Sequence, residues 1–266
     1  MKYIAGFIGC GNMGGTLANA VCSAIGGANV ALCDLDGAKV RAISEKHGAT
    51  ALEIGALAAA SKFIFLGVKP QGMATTLGLI KDALASNDDY VLVTMAAGLT
   101  KKSITDTLGY ECKVIRIMPN TPAAVGEGMI LCSYSDGVSE AEKAQFLALL
   151  ANAGLVDEIS EDKIDAASAV SGCGPAFAYI FAEALADAGV ECGLTRDQAT
   201  KYAAQMILGA AKMVRENGNP AALKDAVCSP GGTTIAGVHA LEDCGFRAAA
   251  MNAVTAAYKR TLELKK

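Results

Sequence analysis

Tyr3-Ile4-Ala5-Gly6-Phe7-Ile8-Gly9-Cys10-Gly11-Asn12-Met13-Gly14 is the stretch whose reading decides the fold. The short apolar run Tyr3–Gly9 predicts a strand, and the small and apolar residues from Asn12 to about Ile25 predict a helix. Between them lies G-x-G-x-x-G in the context that gives it meaning, with a strand before and a helix after. Gly9 allows the tight turn, Gly11 lets a pyrophosphate approach the backbone, and Gly14 lets helix and strand pack closely. Gly9, Cys10, Gly11, Asn12, Met13 and Gly14 are therefore candidate cofactor-binding residues. A purely structural glycine turn would look the same residue by residue; its place at the first strand-to-helix turn favours a dinucleotide.

Outward from this turn, Asn29–Asp34 reads as a second strand, and Asp34 lies twenty positions beyond Gly14. An acid there commonly accepts a hydrogen bond from the adenosine ribose and repels a 2′-phosphate, which tilts the cofactor toward NADH over NADPH. Alternatively, Asp34, Asp36 and Gly37 form a turn that caps the next helix. Phe63–Val68 is a buried-type strand ending in Lys69-Pro70. Tyr90–Thr94 and Lys113–Met118 follow, the latter ending in Pro119-Asn120-Thr121-Pro122. Strand ends of a doubly wound sheet deliver residues to the cofactor crevice, so Val68, Lys69, Pro70 and Asn120 join the candidate set, although prolines after strands are also plain strand stops and a lysine there is as readily solvated. Asn120 could reach the nicotinamide ribose or carboxamide, or could simply cap its turn. Gly128–Ser133 and Leu155–Ile159 read as strands closing this half, with a helix over 139–152 between them.

From Glu161 the pattern becomes helical: Asp162–Val170, a break at Ser171-Gly172-Cys173-Gly174-Pro175, then Ala176–Ala188 ending at Gly189. Thr195-Arg196-Asp197-Gln198 is a capping box opening a helix that runs to about Glu216 and stops before Gly218. Asn219-Pro220 starts a short helix, and a last one begins at Phe246. The expected architecture is α/β: a Rossmann-type dinucleotide-binding domain over 1–160 and an all-α dimerisation domain over 161–266. Helices this rich in alanine usually bury more than one face, which points to self-association.

Composition narrows the function. With 266 residues, 52% hydrophobic and 19% charged, the chain has ample length for a core. A net charge of −4 and a pI near 5.3 argue against nucleic acid or an anionic membrane as partner. Mean hydropathy is +0.34, yet no uncharged apolar run reaches the ~18 residues of a membrane helix. Nine cysteines stand singly with only two histidines, so common zinc spacings are missing and no metal is expected. Reduced thiols, and a start that leads straight into a strand, give a cytoplasmic expectation.

Near the C-terminus, Ser229-Pro230-Gly231-Gly232-Thr233-Thr234 runs into a helix extending through Glu242 to a stop at Gly245, with Thr233 or Thr234 as its cap. Two glycines at a helix N-terminus leave several N–H groups pointing one way, a natural seat for a small anion such as a carboxylate. An ordinary loop-to-helix corner has the same composition. The sequence offers no Ser-His-Asp arrangement and no well-placed catalytic histidine, and His239 reads as packing or surface capping.

The wording of this segment, continuing through His239-Ala240-Leu241-Glu242 and Gly245-Phe246-Arg247, resembles the signature of pyrroline-5-carboxylate reductases. Gly9–Gly14, Val68-Lys69-Pro70, Asn120-Thr121-Pro122, Ser171-Gly172-Cys173-Gly174-Pro175-Ala176 and Leu223-Lys224-Asp225 look like family motifs in family order, spanning nearly the whole chain. The resemblance implies NADH- or NADPH-dependent reduction of the C=N bond of Δ1-pyrroline-5-carboxylate to proline, the last step of proline synthesis. It implies that Ser229, Gly231, Gly232 and Thr233 hold the substrate carboxylate, and that Thr234 hydrogen-bonds the ring nitrogen as the catalytic residue. It also implies an intertwined homodimer, with a decamer left open. One departure is Ile54, where many members have Asn near the adenosine phosphate; with Asp34 it weakens the case for NADPH, although Lys39 and Arg41 remain candidate phosphate partners. A related cyclic-imine reductase is an alternative. A β-hydroxyacid dehydrogenase is another, but Lys163 is the sole lysine near the boundary where that family needs one. The third is a non-catalytic dinucleotide sensor.

Overall fold

Along the central strands of the computed structural model, which describes residues 2–263, neighbouring residues turn to opposite faces and both faces are buried. Phe7, Phe63, Phe65, Val93 and Ile115 join one apolar cluster, and Ile64, Leu66, Leu92 and Val114 join a second. Strands covered on both sides need helices above and below, which is the parallel α/β arrangement.

The elements follow in order: β1 (Tyr3–Ile8), α1 (Asn12–Ile25), β2 (Val30–Cys33), α2 (Gly37–His47), β3 (Thr50–Ala51), α3 (Ile54–Ala60) and β4 (Ser61–Leu66). Next come α4 (Met73–Leu84), β5 (Val91–Thr94), α5 (Lys101–Leu108), β6 (Val114–Met118), β7 (Gly128–Tyr134), α6 (Glu140–Leu149) and β8 (Gly154–Glu158). They build one eight-stranded sheet in the order β3-β2-β1-β4-β5-β6-β7-β8. Strands β1 to β6 are mutually parallel, β7 runs antiparallel to β6, and β8 is parallel to β7. The order reverses between β1 and β4, so the crevice for a ligand opens at the carboxyl ends of those strands. On one face Phe7 stacks on Phe65 at 4.4 Å, and Phe146 of α6 lies 6.4 Å from Phe65.

The helical half comprises α7 (Ile164–Ser171), α8 (Gly174–Glu191), α9 (Arg196–Asn217), α10 (Pro220–Ala226), α11 (Thr233–Asp243) and α12 (Phe246–Glu263). The chain divides into two compact units, one running to Gly172 and taking up the chain again from Tyr258, the other Cys173–Ala257. Thr195 caps α9 through the expected box with Gln198, and Gly218 ends it in the left-handed region.

Several expectations are corrected. The anticipated break at Ser171–Pro175 barely interrupts the helix: Gly172 and Cys173 keep right-handed helical dihedrals, and the Gly172 N–H still donates to Ser168. Pro175 falls in the first turn of α8, where a missing N–H costs nothing. Gly189 does not end α8, which runs to Glu191. A Cβ there would lie 2.9 Å from that of Ala199, so this glycine serves the close approach of α8 and α9; the turn comes at Gly193, φ +97°. The stretch Glu161–Glu191 is also long and apolar enough to cross a membrane, although the count of uncharged runs finds no such segment. Scattered acids interrupt the run without lowering the average enough.

Candidate active site

Local geometry at Gly9 and Gly14 is that of a tight turn with close helix packing. Gly9 has φ +96°, a conformation that L side chains rarely adopt. Its N–H donates to the Cys33 carbonyl at 2.8 Å, and the Gly67 N–H donates to Ile8 at 2.8 Å, tying the turn to the strand end on either side. A Cβ on Gly14 would be driven into the Gly9 carbonyl, whereas a Cβ on Gly11 would meet nothing within 4 Å. Gly14 is thus demanded by the protein's own packing, and Gly11 is not. Cys10 is 4% exposed; burial, then the nearby Asp34, push its thiol up to about 12, so it stays protonated and is no nucleophile.

Asp34 follows β2 and braces the same turn. Its Oδ2 accepts from the Cys10 N–H at 2.6 Å and its Oδ1 from the Asp36 N–H at 2.8 Å. Asp36 caps α2 by accepting from Ala38, and Lys39 lies 3.5 Å from the Asp36 carboxylate. After β4 come Gly67 and Val68, then exposed Lys69 and Pro70, which opens a short 3-10 turn. After β6, Asn120 opens a 3-10 turn over Thr121–Val125. The first unit therefore places the glycine turn, Asp34 and Val68-Lys69-Pro70 at the carboxyl ends of the adjacent strands β1, β2 and β4, with Asn120 at the same edge after β6, two strands further on. Asn120 engages the protein with both ends of its amide, donating to Ser171 and accepting from Met129.

Sequence reasoning passed over Gly67, whose Cβ would collide with the Gly9 carbonyl. The signal was a glycine at a strand end, which marks close backbone approach. It also passed over Met95–Gly98, delivered to the same edge by β5.

Ser229–Thr234 belongs to the second unit. Gly231 has φ +69° and open space on the side where a Cβ would project, while a Cβ on Gly232 would strike the Ser229 hydroxyl. The Gly232 N–H donates to the Ser229 carbonyl at 3.0 Å, closing the loop. The cap of α11 is Gly232, with no side-chain hydrogen bond, instead of either threonine. Thr233 and Thr234 occupy the first helical turn, exposed, among N–H groups that a helix leaves without an intrahelical acceptor. α11 ends at Asp243 and Gly245 follows at φ +71°. His239 is exposed and lies 3.2 Å from Asp243 one turn along α11, a surface pair in place of the packing or capping expected.

The sheet order and glycine turn define a dinucleotide-binding oxidoreductase. Residues 4–98 match the family model described as NADP oxidoreductase, coenzyme F420-dependent, and residues 161–264 match pyrroline-5-carboxylate reductase dimerisation. The chain is 40% identical over 270 residues to the pyrroline-5-carboxylate reductase of Escherichia coli K12, with full coverage of both. The Coxiella burnetii enzyme superposes with a TM-score of 0.90 at 30% identity, and the Plasmodium falciparum enzyme, solved with NADP bound, with 0.87 at 32%; each comparison covers both chains completely. The chain belongs to the pyrroline-5-carboxylate reductase family, as an NAD(P)H-dependent oxidoreductase with a helical C-terminal dimerisation domain. This membership sets aside the dehydrogenase and sensor alternatives.

Proposed function

We propose that the Ser229–Thr234 loop seats the substrate carboxylate and that the Thr234 hydroxyl hydrogen-bonds the ring nitrogen of Δ1-pyrroline-5-carboxylate. The observation carrying this reading is the start of α11. Gly231 and Gly232 open the backbone, and two exposed threonine hydroxyls stand among the first-turn N–H groups. Such an N-terminus favours an anion by its unpaired donors and its dipole. Ser229 and Thr233 add hydroxyls around the carboxylate.

The cofactor set is the Gly9–Gly14 turn with Cys10, Asn12 and Met13, together with Asp34, Val68, Lys69 and Pro70; Asn120, counted with them from the sequence, leaves this set because Ser171 and Met129 engage both ends of its amide. The residues present fit a dinucleotide: Gly11 leaves room that the chain's own packing does not require, and Gly14 brings α1 against the turn. When bound, the reduced nicotinamide supplies the hydride. The protein's task is orientation, because a cyclic imine can arrive already protonated and needs no strong general acid. Asp34 favours NADH, since its carboxylate would face a 2′-phosphate with like charge. Lys39 lies 3.5 Å from Asp36 in a half-exposed pair, a weak contact that leaves it a candidate phosphate partner.

The reading extends to a homodimer formed by the C-terminal helices, a functional boundary near Ser160, and a cytoplasmic setting. The family segment starting at 161 and the apolar surface of α8 and α9 support the first two. The same apolar surface on Glu161–Glu191 is assigned to subunit contact in place of a bilayer.

The deciding experiment follows nicotinamide absorbance with Δ1-pyrroline-5-carboxylate, comparing NADH and NADPH at matched concentrations. Oxidation with a preference for NADH is expected, and no oxidation with either cofactor overturns the reading. Thr234→Ala should lower kcat about tenfold while NADH affinity stays within about twofold, the pattern of an interaction made mainly in the transition state. Unchanged turnover would exclude the hydroxyl role.

A further inference from the structure

Asn120 is 8% exposed at the end of β6, where the parallel strands meet the crevice. Its Nδ2 donates to the Ser171 carbonyl at 2.9 Å, and its Oδ1 accepts from the Met129 N–H at 2.9 Å. The partners fix the amide orientation: an N–H can only donate and a carbonyl can only accept. Ser171 is the last residue of α7, and Met129 lies in β7, so one side chain bridges three elements. The Thr121–Val125 turn that Asn120 opens packs against α1, the helix that follows the glycine turn, and its Ala123 is buried.

Four residues back on the same strand, Arg116 is 1% exposed and donates from Nη2 to Asp165 Oδ1 at 3.0 Å. Asp165 is in the first turn of α7. The Arg116 Nη1 is 3.6 Å from Glu161, whose Oε1 also accepts from the Lys101 N–H at 2.8 Å. α7 is thus tied to the β6 segment at both ends by interior polar contacts. Buried ion pairs contribute little net stability, but a set of directional contacts admits one arrangement where apolar packing would admit several.

We propose that Asn120 and Asp165 are positioning residues for the reduction. They hold the Thr121–Val125 turn and the end of β6 in register with the crevice, and touch neither substrate nor cofactor. This rests on the reductase reading, in which hydride transfer demands close alignment. A misplacement of about 1 Å far from the chemistry can cost on the order of a hundredfold in rate.

Asn120→Asp tests this by pH. As a carboxylate the new side chain still accepts from Met129 but faces the Ser171 carbonyl with negative charge. Protonated, it donates to Ser171 and restores both contacts. Burial and the facing carbonyl raise its pKa above the ordinary carboxylate range, so the competent form is present at low pH and lost as pH rises through that value. With NADH, kcat should lie about tenfold below the parent at pH 8 and return to within about threefold near pH 6, while the NADH dissociation constant moves less than about twofold. Asn120→Ala should show the loss without the recovery. Asp165→Asn should lower kcat severalfold at every pH.

A loss appearing entirely in NADH affinity would make Asn120 a direct ligand and overturn the proposal, as would a kcat of Asn120→Asp that tracks the parent at all pH values. Absence of turnover in the parent protein would strike the reductase reading instead. Exchange of the Met129 amide proton needs no substrate and decides the brace in that case. Faster exchange in Asn120→Ala supports it, and unchanged exchange overturns it.

Discussion

In the first unit Phe7, Phe63, Phe65, Leu92 and Ile115 are completely enclosed, whereas in Cys173–Ala257 the buried residues are Ala186, Ala199 and Ala203. The contrast lies in what each stretch of chain can cover. A parallel sheet between two helical layers buries both faces of every central strand. The helices of the second unit meet mainly through the α8–α9 contact, where Gly189 and Ala199 allow close approach but offer little side-chain area to bury. Tyr179, Ile180, Tyr202 and Met206 remain exposed, with Ile180 at 66%. Large apolar side chains left exposed in number fit an interaction site, and the dimerisation family model falls on the same residues. The first unit encloses its large apolar side chains within one chain; the second leaves its own exposed, and the proposed homodimer would cover them.

The largest effect that would break this comparison concerns the exposed face. Ile180→Asp combined with Met206→Asp should weaken self-association by about 4 kcal/mol, roughly a thousandfold, because buried charges would replace apolar contacts. Light scattering across micromolar concentrations reads the outcome. A dimer of undiminished strength would mean that this face is not where copies meet.

Next in size is Gly14→Ala in the first unit. The added methyl group must displace the Gly9 carbonyl, and NADH binding should fall by about 3 kcal/mol, on the order of a hundredfold, in a fluorescence titration. Self-association should be untouched, since the change lies in the unit that needs no partner. Loss of both would show the two units to be energetically coupled.

Asp34→Ser should shift the NADH-to-NADPH ratio of kcat/KM by about 2 kcal/mol, roughly 30-fold, toward NADPH. Part of any general loss of affinity would come from the Cys10 N–H, which gives up its acceptor. Steady-state kinetics with both cofactors separate the two effects, and an unchanged ratio would remove Asp34 from cofactor choice.

The smallest effect is on stability. Burial would raise the Glu142 carboxyl, but Lys113 at 2.6 Å and the Ser139 donors outweigh it and hold it at about 2. A depressed carboxyl stabilises the fold fully above its unfolded pKa, near about 4.3, and loses that contribution as pH falls toward 2. Glu142→Gln should therefore cost about 1 kcal/mol at pH 7, with the difference from the parent shrinking below about pH 4.3 in urea titrations. A pH-independent difference would point to packing and not charge.

Local physics explains what was legible in the chain. The Gly9 turn needs a positive φ and the close packing that only Gly14 allows, and both demands are written in adjacent residues. The α9 boundaries are likewise local, set by Thr195 with Gln198 and by Gly218. The strand series was readable because continuous apolar runs bounded by turns leave few other choices.

Tertiary structure alone decided features whose partners are distant. β3 is two residues long and exists only because Thr50 and Ala51 find β2. Gly189 reads as a helix stop until Ala199 comes against it, and Gly67 reads as a strand end until it meets Gly9. Asn120 is either a cofactor contact or a turn cap on sequence alone. Its actual partners, nine and 51 residues away, follow from where β7 and α7 lie. Sequence by itself determined the glycine turn, the longer strands and the α9 boundaries, because backbone dihedrals and apolar periodicity act over a few residues. Which side chains brace the crevice depended on contacts that only the folded chain brings together.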